Sequence, residues 1–173
     1  MMEEMTAEKP ASENLPKATA VKAVKPERQL DYISDSAADT IKIGSDLLAS
    51  LQLPALLILS GTLGSGKTTL VKGIAEALGA AERDEVTSPT FTLVHEYEGT
   101  RDGKPVSLYH LDLYRLETER QVEQLGIDEL MEEDAIVLVE WGEKFPSIER
   151  RAAGTISLVN TVGDQRRITV TFR

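Results

Sequence analysis

The stretch Gly61-Thr62-Leu63-Gly64-Ser65-Gly66-Lys67-Thr68 restricts the possible folds of this chain more than any other. Before it runs Leu56-Leu57-Ile58-Leu59, short and apolar enough for a buried strand. After it, Thr69 to Leu78 has helical composition and stops near Gly79. A strand, a glycine-rich loop and a helix in this order match the G-x-x-x-x-G-K-[ST] spacing of a phosphate-binding loop. Glycines let the backbone turn tightly, so that consecutive N–H groups face phosphate oxygens at the positive end of the following helix. Gly61, Thr62, Leu63, Gly64, Ser65, Gly66, Lys67, Thr68 and Thr69 are therefore the expected nucleotide cradle. Lys67 would bridge the β- and γ-phosphates of the nucleotide, and the Thr68 hydroxyl would ligate Mg2+. A plain glycine turn is the bland alternative, and the strand–loop–helix context weighs against it.

The flanking pattern predicts a single α/β domain with a P-loop NTPase-like mixed β-sheet flanked by helices. Residues 1–28 carry five acidic and five basic side chains among Ala, Pro and Thr, and read as a disordered tail. The P-loop domain is then expected to be 29–173, and the formal charge of −10 belongs to it. That balance argues against gripping nucleic acid directly. With no cysteine, disulfides and thiolate metal sites are excluded. No apolar run has bilayer length and no secretory leader is evident, so a cytoplasmic protein without a membrane partner is expected.

Along the chain, Ser34-Asp35-Ser36 offers caps for a helix carrying Ile41, Leu47, Leu48 and Leu51, with Pro54 beyond it. Val86 to Tyr97 and Val106 to Leu116 suggest an antiparallel hairpin with a longer loop, 99–105. Residues 118–131 read as an acidic helix interrupted at Gly126, with Glu132 and Glu133 continuing its solvated face. Ala135 to Val139 is a short buried strand. Thr155 to Val162 and Arg166 to Phe172 form a terminal hairpin about Gly163-Asp164.

Three segments offer further chemistry. Glu140 ends a strand of four hydrophobic residues, where a P-loop protein keeps the carboxylate associated with Mg2+. In His110-Leu111-Asp112-Leu113-Tyr114-Arg115, alternation puts His110, Asp112 and Tyr114 on one face, with Asp112 able to orient or deprotonate water or hold a metal-bound water. Ser88-Pro89-Thr90-Phe91 has the makings of a switch whose hydroxyls sense the γ-phosphate, against an ordinary turn into a strand. Trp141 is by default a packing residue that, beside Glu140, could stack on a base or a partner. Arg115 is a candidate for an arginine contributed in cis, a group supplied by a partner being the alternative.

Taken in order, Gly61 to Thr69, Ser88 to Val94, His110 to Leu116 and Val139-Glu140-Trp141 resemble the TsaE (YjeE) family over roughly residues 31–172. That resemblance implies a small bacterial P-loop ATPase needed for threonylcarbamoyladenosine formation in tRNA. It implies an accessory subunit, weakly active alone, that acts on TsaB and TsaD. TsaD transfers threonylcarbamoyl to adenosine 37 of tRNAs reading codons that begin with A, so tRNA is met only through the complex. It also implies Lys67, Asp112 and Glu140 as catalytic residues, Thr68 and Glu140 as metal residues, and Thr90 and Trp141 at the nucleotide. The chain departs from the family at Thr62, where an acid is usual, and at Ser65, where alanine is usual.

Other P-loop classes fit less well. A small-molecule kinase usually closes a basic lid over the nucleotide, whereas 117–134 is acidic. Against a non-catalytic nucleotide-gated module, Asp112 and Glu140 argue for hydrolysis, and Asp112→Ala separates the two. A GTPase needs an Asn-Lys-x-Asp segment and an ABC ATPase a Leu-Ser-Gly-Gly segment, and neither occurs.

Overall fold

Residues 28–131 and 134–173 are described by the computed structural model; the expected tail, 1–28, lies outside them except for Arg28, which opens the first strand, and the pair Glu132-Glu133 also lies outside. A seven-stranded sheet has the order β1-β7-β6-β2-β5-β4-β3. Its strands are β1 (Arg28–Ser34), β2 (Ala55–Ser60), β3 (Val94–Arg101), β4 (Lys104–Asp112), β5 (Ala135–Glu140), β6 (Gly154–Asn160) and β7 (Arg166–Phe172). The central strands β6, β2, β5 and β4 are parallel. β3, β7 and β1 join antiparallel at the two sides. The sheet is therefore mixed, as expected.

Strand alternation divides the interior in two. Leu57, Leu59, Leu108, Ile136, Leu138, Ile168 and Val170 meet α1 (Ala37–Leu48) and α2 (Lys67–Ala77). Leu56, Ile58, Leu111, Val137 and Val139 face the other way. There they meet Val122 of α3 (Glu119–Glu123), Ile127 of α4 (Ile127–Leu130) and Ile148 of α5 (Pro146–Arg151). Every residue of β2 except Ser60 is buried, because helices cover both of its faces.

Ser36 caps α1 by accepting from the Asp39 N–H. The α1 and α2 backbones come unusually close at Gly44 and Gly73; a Cβ on Gly73 would collide with the Ile41 carbonyl. This contact sets where α2, and so the loop feeding it, sits over the sheet.

Two expectations are revised. The β3–β4 connection is a two-residue turn, not a longer loop: Asp102 and Gly103 both have positive φ, 53° and 77°. That twist matches the flanking strands, so pairing continues to Arg101 and Lys104. The strand also starts at Val94, leaving the segment with Thr90 as a loop. The acidic segment is helical and interrupted at Gly126, φ 63°, as expected, which leaves two short helices.

Candidate nucleotide site

At the carboxyl edge of the parallel strands, several apolar rows on the α1–α2 face end in a polar residue. On β4 the row Leu108, His110, Asp112 ends in an acid, and on β5 so does Ile136, Leu138, Glu140. Asp112 and Glu140 are direct neighbours across β4 and β5, and Glu140 pairs with Leu59 of β2 on its other side. One residue beyond Leu59 the chain leaves β2 for the loop 61–66. The edge of a parallel sheet is where open α/β folds bind ligands.

The loop curls back because Gly61, Gly64 and Gly66 take positive φ of 155°, 76° and 103°. Lys67, buried at the first position of α2, donates to the carbonyls of Gly61 at 2.7 Å and Thr62 at 3.1 Å. Its ammonium lies 3.7 Å from Glu140 Oε2. The other carboxylate oxygen, Oε1, is 2.8 Å from Nε2 of His110, which is completely buried. Nδ1 of His110 has no hydrogen-bond partner, so the ring's polar contact runs through Nε2. Glu140 is thus held from two sides, and Lys67 supplies the compensating charge.

Asp112 is held separately. Its Oδ1 accepts from the Tyr114 N–H at 3.0 Å, and its Oδ2 accepts from the Thr90 hydroxyl at 3.1 Å. Thr90 in turn lies 2.9 Å from the Ser88 hydroxyl. The 88–91 loop is therefore tied to the acid at the end of β4. Trp141 adopts φ 61°, in the left-handed region, which turns the chain sharply just after Glu140. Its ring packs on Tyr114 with centroids 5.2 Å apart.

The expected residues thus converge, with distinct surroundings. Thr68 and Thr69 occupy the first turn of α2. Ser65 is buried with an unpartnered hydroxyl next to Gly61, while Thr62, Leu63 and Gly64 are exposed. The Arg115 guanidinium sits 4.2 Å over the Phe91 ring, fastening the Thr90 loop from outside. Two residues escaped the sequence reading. His110 was visible only as a neighbour of Asp112, and its bond to Glu140 spans thirty positions. Arg166, in the terminal hairpin, reaches the glycine-rich loop at Gly66. Among the described residues no cluster of three or more His, Cys, Asp or Glu side chains forms a ready metal cage. The donors suit an ion whose remaining ligands come from phosphate and water, as with Mg2+.

Comparison with known proteins gives a consistent picture. The family model for "Threonylcarbamoyl adenosine biosynthesis protein TsaE" matches residues 34–168. A protein of Treponema pallidum named tRNA threonylcarbamoyladenosine biosynthesis protein TsaE is 38% identical over 138 residues, 80% of this chain and 97% of that protein. A protein of the same name in Bacillus subtilis is 37% identical over 144 residues, 83% of this chain and 86% of that one. The crystal structure of Bacillus subtilis YdiB superposes with a TM-score of 0.62 at 31% identity, covering 86% of this chain and 88% of that structure. With a family match across most of the described fold and a relative aligned over nearly its whole length, the chain belongs to the TsaE family, whose role is in tRNA threonylcarbamoyladenosine biosynthesis.

Proposed function

We propose that this chain is a Mg2+-dependent ATPase serving as an accessory subunit to TsaB and TsaD in the threonylcarbamoylation of adenosine 37, in tRNAs reading codons that begin with A. The observation that carries the reading is the placement of Lys67 between the loop carbonyls and Glu140, with Asp112 next to Glu140 in the sheet. On binding ATP, Lys67 would exchange its carbonyl bonds for phosphate oxygens, while loop N–H groups and the α2 N-terminus receive the rest of the phosphate chain. Thr68 and Glu140 would hold Mg2+, which supplies charge stabilisation to the transferring phosphoryl group. Asp112, already accepting from Thr90 and Tyr114, is the group to orient water, and Thr90 would link the nucleotide state to the 88–91 loop.

Acting through TsaB and TsaD accords with the family role and with the net charge of −10, which disfavours direct tRNA binding. The test combines the purified chain with TsaB and TsaD, with and without ATP and Mg2+, and follows co-elution and ATP hydrolysis. Nucleotide-dependent association with raised hydrolysis is expected. Rapid turnover by the isolated chain that the partners leave unchanged would overturn the accessory role. Asp112→Asn should bind ATP and fail to hydrolyse it, whereas a purely nucleotide-gated module would retain its function.

A further inference from the structure

On β7 the residues facing α1 and α2 are Val170, Ile168 and, at the carboxyl edge of the sheet, Arg166. Arg166 therefore ends an apolar row as Asp112 and Glu140 do, but on the opposite side of β2. Its guanidinium lies against the loop: a Cβ added to Gly66 would be 2.6 Å from Nη1 and 3.5 Å from Cδ. The positive φ of Gly66, 103°, is what favours glycine there, and its bare Cα leaves room for the guanidinium.

The electrostatics of this placement are unbalanced. Gly66 is the N-cap of the eleven-residue helix α2 and provides no side-chain cap. A cation next to it faces the positive end of a helix dipole. Lys67 has Glu140 within reach, whereas no carboxylate among the described residues forms an ion pair with Arg166. Its Nη2 donates to the Asp164 carbonyl at 3.2 Å, and its Nε is buried without a partner. A buried N–H of a charged group left unpaired is unfavourable, so the arrangement suits an anion brought in by a ligand.

We propose that Arg166 is a nucleotide-contacting residue that engages the diphosphate portion common to ADP and ATP. The proposal rests on the nucleotide-binding reading above. Topology decides which part of the ligand it meets. Glu140 and Asp112, the groups suited to metal and water, lie on the β5–β4 side of the loop, and Arg166 lies on the β6–β7 side. Arg166 therefore sits away from the end of the nucleotide where the bond is cleaved, and it holds the part that remains after cleavage.

Titration calorimetry on the full chain tests this, with ADP, ATP and inorganic pyrophosphate as ligands and thermal unfolding as the folding control. Arg166→Met keeps the aliphatic stem over Gly66 and removes the charge; Arg166→Lys keeps the charge without the planar fork. Arg166→Met should weaken all three ligands by about tenfold or more, the loss of one charge-assisted contact, and Arg166→Lys should recover part of it. Wild-type affinities in both variants would overturn the proposal. Weakened ADP with unchanged pyrophosphate would also overturn it, by moving the contact to the nucleoside. If the wild-type chain binds pyrophosphate in an Arg166-dependent way but neither nucleotide, the nucleotide reading fails while the anion contact stands. If it binds none of the three, both fall.

Discussion

Nε2 of His110 lies 2.8 Å from Oε1 of Glu140, and both side chains are buried. This bond leaves Oε2 facing Lys67 at 3.7 Å, so the histidine determines which carboxylate oxygen addresses the site. Replacing His110 by alanine removes a donor to a buried charge and opens a cavity behind it. We expect a stability loss of about 2 kcal/mol or more by denaturant unfolding, and reduced ATP hydrolysis in the assembled complex. An unchanged unfolding midpoint would show that Glu140 does not depend on this bond.

Gly73 controls the approach of α2 to α1. A Cβ there would strike the Ile41 carbonyl and lie 3.1 Å from the Gly44 Cα, and backbone cannot swing aside as a side chain can. Despite the better helix propensity of alanine, Gly73→Ala should destabilise the fold by about 1–3 kcal/mol, read as a lower urea midpoint. A stabilised variant would mean that the helices separate freely, and that the seat of the phosphate loop is less fixed than the packing indicates.

These two relationships mark what local sequence can and cannot reveal. The loop 61–68, the apolar run of β5 and the alternation in β4 are short-range patterns, and each was readable from spacing alone. Pairings between distant segments left no such trace. Nothing around His110 names Glu140 as its partner, since that contact exists only through the parallel register of β4 and β5. Arg166 likewise reads as an edge residue of a terminal hairpin until β7 is placed two strands from β2. β1 shows period-two burial at Leu30 and Tyr32, but joins the sheet only through β7, a partner over a hundred residues away. The Asp102-Gly103 turn was legible as a pair; only continuous strand pairing on both sides revealed how short the loop is.

Glu119 offers a pH test away from the site. Its carboxylate accepts from the Ser147 hydroxyl and from the Ser147 N–H at 3.1 Å, tying α3 to the first turn of α5. The Ser147 hydroxyl first and its N–H second hold the Glu119 carboxyl below its ordinary value of 4.5. A carboxyl depressed in the folded state stabilises the fold above its unfolded value, and that contribution fades as pH falls through the lower folded value. Thermal unfolding measured from pH 6 down to about pH 3 should therefore fall less steeply in Glu119→Gln than in the parent. Parallel curves would show that the contact adds nothing to stability.

Trp141 is the only tryptophan in the chain, so its fluorescence reports one place: the residue next to Glu140. Its ring rests on Tyr114, whose backbone N–H holds Asp112 and whose carbonyl accepts from Lys144 Nζ at 3.0 Å. The indole, the tyrosine ring and Asp112 are thus linked through one residue. Binding of ATP with Mg2+ at the loop should alter Trp141 emission, because a rearrangement at Asp112 or Glu140 is passed directly to the ring. Tyr114→Ala should shift the emission of the free chain to the red by exposing the indole, and should diminish the nucleotide response while leaving ADP binding by calorimetry within about threefold, a difference of roughly 0.7 kcal/mol. An emission spectrum that ignores nucleotide in a chain shown to bind it would mean that the turn at Trp141 stays rigid, and that the link between Asp112 and Trp141 carries no signal.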